Sequence, residues 1–229
     1  MAELARIYHN GLQSQGDLLE LPNYGEIIRQ VLNTINSTIG ANEAQKLNDL
    51  LTQEEIQKAL KSAPNEKAAG LDGIPVELWK KLHNQHKGSQ EHEATPRASI
   101  TKILKTVFND IEKHGTAKDT EFAEGWMCPI YKKGDPREIA NYRPITVLNT
   151  DYKVFAKALS NKLTPIASSL IKEEQAGFLP NRSIFDQIKL IKLLISYAEQ
   201  EKKNGAIVAL DQEKAYDKIT HGYLWKPWK

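Results

Sequence analysis

The order in which hydrophobic periodicity changes along the chain limits its fold more than any other feature. Up to Gly115 the apolar residues recur at helical spacing. Thr52 is a good N-cap, and Glu55 three residues on completes a capping box. Ile56, Ala59 and Leu60 then give an i, i+3, i+4 face, and Pro64-Asn65 ends the helix. After a turn-rich loop, Ala69 to Pro75, a short helix carries Val76, Leu78, Trp79 and Leu82. His83 to Ala94 is polar and reads as a loop. Thr95-Pro96 reads as a cap with Pro at the first helical position, opening a helix with Ile100, Ile103, Leu104, Val107, Phe108 and Ile111 inward.

From Trp126 the character changes. Trp126–Tyr131 and Pro144–Leu148 read as short strands around a turn at 132–136. Tyr152–Leu163 is amphipathic helix, Pro165 interrupts it, and Ile166–Ile171 adds a short helical turn. Gln175–Arg182 is a loop. Ser183–Lys203 is the longest helix expected, with Ile184, Ile188, Ile191, Leu194, Ile195 and Ala198 inward and Gly205 as its terminator. Ala206–Leu210 is a strand. Helices first, then strands mixed with helices, predict an α+β fold and not a regular βαβ barrel. Residues 1–45 read as a leader or linker, with helical pieces such as Ile27 to Ile35.

Composition narrows the class. The chain has 229 residues, 40% hydrophobic and 26% charged, ordinary for a globular domain. No apolar run approaches the roughly 20 residues that cross a bilayer, and MAELARIYHNG lacks the pattern of a signal peptide. The single Cys128 excludes an internal disulfide and a cysteine-rich zinc site, so a reducing compartment, cytoplasm or nucleus, is expected. Residues 1–125 carry 14 Lys and Arg against 18 Asp and Glu, whereas residues 126–229 carry 17 against 11. Such asymmetry points to a polyanionic partner or to solvated helix faces. His83, His86 and His92 lack an acid or Cys at ligand spacing and read as solvent-facing. Trp79 and Trp126 could stack on bases, but packing in the core is preferred for both.

The segment GAIVALDQEKAYDKI ends an apolar run on Asp211. A carboxylate at the end of a strand sits on rigid backbone, and hard cations such as Mg²⁺ take oxygen ligands in fixed geometry. The plain alternative is a helix N-cap at Asp211 or Asp217.

ALDQEKAYDKI resembles the first catalytic motif of the reverse transcriptase palm, in the form carried by non-LTR retrotransposons. Upstream blocks agree in order. Lys61–Leu82 (KSAPNEKAAGLDGIPVELWKKL) resembles the leading block of such enzymes. Trp126–Leu163, with PIYKKGD and NYRPI, resembles the fingers block, and Glu173–Ile188, with QAGF and RSI, the block that follows.

The resemblance implies roles. Asp211 matches the first metal-binding, catalytic aspartate, with Mg²⁺ as the cofactor. Tyr216 matches the aromatic residue beneath the incoming sugar, and Asp217 is read as a cap for the next helix. Arg143, with Lys132 or Lys133, matches the residues that grip the triphosphate of a deoxynucleotide. Arg offers phosphate a planar fork and Lys a compact charge. An ion pair within the fingers is the alternative for Arg143. Gln175, Gly177, Phe178 and Arg182 match a block beside the template strand, with a surface salt bridge as the alternative for Arg182. Lys61 and Lys67 fall where the leading block meets RNA, or are solvated.

The implied partners are an RNA template, a DNA primer and deoxynucleoside triphosphates, with no membrane. Residues 46–229 are expected to be a partial reverse transcriptase domain, an incomplete right hand of fingers plus the first palm strand. The sequence contains no Asp-Asp pair, so the remaining metal-binding carboxylates are missing. The expectation is a chain inactive alone, with a non-catalytic nucleic-acid-binding module as the alternative.

Overall fold

The computed structural model describes residues 2–14, 23–34, 38–88 and 99–219. Eight helices and two strands follow in the order α1 (Ala2–Ser14), α2 (Tyr24–Asn33), α3 (Ala41–Asn48), α4 (Gln53–Ser62), α5 (Val76–Gly88), α6 (Ile100–His114), β1 (Gly125–Tyr131), β2 (Tyr142–Leu148), α7 (Thr150–Leu170) and α8 (Ile184–Gln200) among the described residues. A 3₁₀ turn, Ile139–Asn141, precedes β2. The two strands pair with each other as a two-stranded sheet. The chain divides into two compact units, one of Ile39–Ile130 and Pro144–Lys172, the other of Met1–Thr38, Tyr131–Arg143 and Glu173–Lys229. No described helix is long and apolar enough to cross a membrane.

The first unit holds the main core. Thr52 accepts the Glu55 N–H (3.2 Å), and the Glu55 carboxylate accepts the Thr52 N–H (2.8 Å). This reciprocal cap satisfies two donors that helix geometry leaves without partners. From that start α4 presents Ile56, Ala59 and Leu60, all fully buried, to α5, α6 and α7. Leu104 and Phe108 of α6 and Val154 and Ala158 of α7 close the core. Phe108 lies 5.0 Å from Phe155 and 6.3 Å from Phe122, ring centre to ring centre, an aromatic cluster with offset, tilted geometry.

Polar locks fix the loops on this core. The Asn109 side chain exchanges two hydrogen bonds with the Leu51 backbone, both 3.0 Å, holding the entrance to α4. Asn149 is buried; its oxygen accepts the Asp72 N–H (3.2 Å) and its amide donates to the Glu121 carbonyl (3.1 Å). Gly70 runs so close to it that a Cβ there would sit 2.4 Å from the Asn149 nitrogen and 2.5 Å from its Cα.

Several expectations are corrected. Helix α5 continues through the stretch read as a loop, to Gly88. His83 is buried, not solvent-facing, and its ring meets the Gln57 amide at 3.0 Å. Val76, Trp79 and His83 form one face, so a histidine stands where the apolar period fails. His92 and Thr95-Pro96 lie outside the described residues, and α6 starts at Ile100 with Ser99 as N-cap. Its buried positions are Thr101, Leu104 and Phe108, while Ile103 and Val107 are exposed. Trp126 is 63% exposed and not in the core; Trp79 packs against it.

Helix α7 runs unbroken through Pro165. The missing N–H costs one helical bond, but burial of Val154 and Ala158 before it and Ile166 after it anchors both flanks. Helix α8 buries none of its residues, and the apolar face expected to point inward is exposed. It ends at Gln200, and Lys202 (φ 52°), not Gly205, takes the left-handed conformation beyond it. Ala206–Leu210 forms no strand and is exposed throughout. A strand needs a neighbour to satisfy its backbone groups, and the described sheet contains β1 and β2 alone. No helix follows Asp217 among the described residues; it lies in a turn.

Three outcomes test these locks. Gly70→Ala should destabilise the protein by about 1–3 kcal/mol through overpacking, read as a lower midpoint of chemical unfolding. Asn149→Ala should cost about 1–3 kcal/mol, since it leaves buried partners unsatisfied. Asp151, in the first turn of α7, has its pKa raised by burial, with the nearby Asp72 charge adding to it. A raised folded-state carboxyl pKa means that stability falls as pH rises through that range. Asp151→Asn should therefore match the parent in acid and gain on it from about pH 4 upward; parallel unfolding curves at every pH would contradict this.

Candidate nucleotide and nucleic-acid interface

The loop between β1 and β2 is braced by its own side chains. Gly134 has φ 96°, a conformation that favours glycine, and a Cβ there would meet the Asn141 amide at 2.7 Å. Asn141 donates to the Asp135 carbonyl (3.0 Å), and the Lys132 N–H donates to the Asn141 carbonyl (3.0 Å). The Tyr131 hydroxyl donates to the Gly134 carbonyl (2.7 Å) and the Tyr142 hydroxyl to the Pro136 carbonyl (2.8 Å). The two tyrosine rings meet edge to face at 5.6 Å.

This loop sorts its cations. Asp135 accepts from the Arg137 backbone (2.9 Å) and from its guanidinium (2.7 Å). That contact holds the Asp135 carboxyl below its usual range and raises the Arg137 pKa. Lys132, Lys133 and Arg143 are exposed, and among the described residues none of them forms an ion pair. The ion-pair alternative for Arg143 is thus not met within the described residues. The hairpin thus carries three exposed cations near its neck.

The Gln175–Arg182 loop is closed differently. Arg182 donates to the Gln175 carbonyl (3.0 Å), and the Gln175 amide donates to the Gly177 carbonyl (3.4 Å). Phe178 has φ 64° and is 98% exposed. A non-glycine residue in that conformation, with its ring wholly in solvent, carries local strain. Gly177 has open space where a side chain would go.

Asp211 is exposed and makes no hydrogen bond or ion pair with the hairpin cations among the described residues. Tyr216 is 82% exposed. Between them, Lys214 hydrogen-bonds the Tyr8 hydroxyl of α1 and lies 4.4 Å from the centre of its ring. Lys218 pairs with Glu213 at 2.6 Å, which lowers the Glu213 pKa. Helix α1 also packs on the 3₁₀ turn of the hairpin. Lys61 lies in the last turn of α4 and Lys67 in the loop after it, both exposed, in the other unit.

The structure thus groups Lys132, Lys133 and Arg143 on one hairpin, and Gln175, Gly177, Phe178 and Arg182 on one loop. It does not join Asp211 to either. Sequence reading missed the struts Tyr131, Asn141 and Tyr142, although two of them stand inside the NYRPI motif. It also missed the contact of α1 with Lys214, for which the sequence offers no signal.

Residues 130–229 match the family model described as reverse transcriptase (RNA-dependent DNA polymerase). Over 180 residues the chain is 32% identical to the "Transposon TX1 uncharacterized 149 kDa protein" of Xenopus laevis, covering 79% of this chain and 13% of that protein. It is 26% identical to the "Probable RNA-directed DNA polymerase from transposon BS" of Drosophila melanogaster, over 75% of this chain and 18% of that protein. It is 22% identical to the "Retrovirus-related Pol polyprotein from type-1 retrotransposable element R2" of Bradysia coprophila, over 83% of this chain and 19% of that protein. The matches therefore span less than a fifth of each of these relatives. The chain is a partial reverse transcriptase domain of the non-LTR retrotransposon kind, with mixed helical content and a small sheet.

Proposed function

We propose that these residues are the fingers and the opening of the palm of an incomplete right hand, in a leader (1–45) and a partial domain (46–229). The parent activity is RNA-directed DNA polymerisation on an RNA template with a DNA primer. The observation that carries the reading is the braced hairpin: Lys132, Lys133 and Arg143 stand exposed on a fixed loop, and of its two carboxylates Asp135 is committed to Arg137 while Glu138 accepts from the Asn141 amide (3.4 Å). Three uncommitted cations on rigid backbone suit the triphosphate of an incoming deoxynucleotide. Tyr216 would lie under its sugar. Phe178 offers a ring face to a template base, and Gln175, Gly177, Arg182, Lys61 and Lys67 would follow the template backbone.

Reverse transcriptases use divalent ions, and Asp211 is the residue that would bind Mg²⁺. No group of three His, Cys, Asp or Glu side chains able to hold a metal occurs among the described residues. One exposed carboxylate does not make the two-ion clamp that stabilises attacking and leaving oxygens. These residues by themselves do not fit the metal pair, and the chain alone binds without polymerising. A second reading, a nucleic-acid-binding module without catalysis, has its own support in the 17 Lys and Arg against 11 Asp and Glu of residues 126–229. On that reading RNA affinity falls with salt while deoxynucleotide binding is absent.

The test is deoxynucleoside triphosphate binding by the whole chain, beside primer extension on an RNA template. Arg143→Ala should weaken nucleotide binding about tenfold, the worth of one hydrogen bond to a charged group. Neither the parent nor Asp211→Ala should extend a primer. Extension by the parent that Asp211→Ala abolishes would overturn the proposed inactivity, and nucleotide binding indifferent to Arg143 would overturn the role of the hairpin.

A further inference from the structure

Helix α1 lies within the smaller unit, and there it touches both the hairpin and the segment that carries Asp211 and Tyr216. One of its faces holds Ala5, Tyr8, His9 and Leu12, at i, i+3, i+4 and i+7 spacing. Ala5 and His9 are buried, and Tyr8 and Leu12 are partly buried. The helix packs on the 3₁₀ turn Ile139–Asn141. That turn braces the hairpin, since the Asn141 carbonyl accepts the Lys132 N–H (3.0 Å).

Its second contact is with Lys214. The Tyr8 hydroxyl accepts from the Lys214 ammonium, which also lies 4.4 Å from the centre of the ring. Lys214 stands between Asp211 and Tyr216 in the sequence. Its turn is closed by the Lys218 N–H, which donates to the Lys214 carbonyl (3.0 Å), and by the Lys218–Glu213 ion pair (2.6 Å). A tie on Lys214 is therefore a tie on the whole turn.

The seat of α1 carries two costs. His9 Nε2 is buried and has no hydrogen-bond partner among the described residues, and a buried polar atom left alone is unfavourable. Lys214 has φ 51°, the left-handed region that a non-glycine residue avoids. Against them stands one charge-assisted hydrogen bond to Tyr8. A contact balanced in this way is reversible, unlike the packed core around α4.

We propose that α1 is an autoinhibitory strap: seated on the hairpin turn and holding Lys214 through Tyr8, it keeps Asp211 and Tyr216 apart from the hairpin cations until it is released. The inference rests on the nucleotide-binding reading above and concerns a helix outside the residues that match the family model. A triphosphate on Lys132, Lys133 and Arg143 with its sugar on Tyr216 must touch the hairpin and the turn at once. In the strapped state Asp211 makes no hydrogen bond or ion pair with those cations among the described residues. The turn has to move, and Lys214 cannot follow it while its ammonium is held. The observed nucleotide affinity is then the intrinsic affinity reduced to the released fraction of the chain.

The experiment uses the whole chain and two readouts. Lysine acylation followed by mass spectrometry reports release, because an amine held by Tyr8 reacts slowly. Titration with dATP reports its consequence. Tyr8→Phe keeps the ring and deletes the hydroxyl. Ala5→Gln puts a larger, uncharged side chain into the buried face and leaves Tyr8 alone. Each should raise the acylation rate of Lys214 about tenfold, the worth of one hydrogen bond to a charged group, and tighten dATP binding by up to the same factor. Lys203 is held in a similar way by the Tyr197 hydroxyl of α8 (3.2 Å). Its acylation should not change, which separates release of α1 from general loosening of the unit. Arg6→Gln, at an exposed position of α1, should match the parent in both readouts. Lys214 acylation unchanged in both variants overturns the strap. Faster acylation with dATP bound no more tightly makes the contact merely structural and overturns the inhibition. No dATP binding by the parent or any variant overturns the nucleotide reading together with the inhibition, an outcome distinct from equal binding by all of them.

Discussion

A single buried amide ties the larger unit together. Asn149 accepts from Asp72, donates to Glu121 and lets its carbonyl take the Lys153 N–H at 3.1 Å, so it ends one loop, holds another and starts α7. A buried amide that loses one partner keeps the full cost of its desolvation. The three segments therefore hold their places as a set. Gly70 fits because no side chain could pass so near to Asn149. The stripe of α7 that follows, Val154 and Ala158, then meets α4 in register with Ile56 and Leu60. Among its described residues the smaller unit has no buried amide that ties three segments in this way. Its hairpin is braced by bonds between residues a few positions apart, and α8 buries nothing.

How much could be read beforehand follows from what kind of physics each feature used. The capping box at Thr52 and the burial of Ile56, Ala59 and Leu60 are local rules, and they hold to the residue. The paired strands around residues 132–141 were also legible, because turn chemistry and short apolar runs are local too. Misreadings arose where a distant partner decides. His83 is buried because Gln57 is there to meet it, which no window of the sequence around His83 reveals. Pro165 stays inside a helix because both flanks are anchored elsewhere. Ala206–Leu210 has the composition of a strand and no neighbour to pair with among the described residues. For the candidate site, the motifs named the cations of the hairpin, but not the tyrosines and the asparagine that fix the loop bearing them.

Charge counts alone give a poor picture of this chain. Arg137 and Arg143 count alike in the composition, yet the Arg137 guanidinium is held by Asp135, while Arg143 is not paired among the described residues. Lys80 and Lys153 likewise serve as ties for backbone carbonyls, and Lys214 rests on a tyrosine ring. The field that a polyanion meets comes from the remainder, and geometry rather than composition selects which cations belong to it.

Phe178 shows the same selection in an apolar group. Its ring is bare to water and its backbone sits at φ 64°, so the folded chain bears an unfavourable exposure and an unfavourable torsion at one position. Both costs are incurred before any encounter. A planar surface that covers the ring would release the water around it without ordering the loop, which Arg182 and Gln175 already close. Association there would be limited in its entropy loss, because the loop is ordered beforehand.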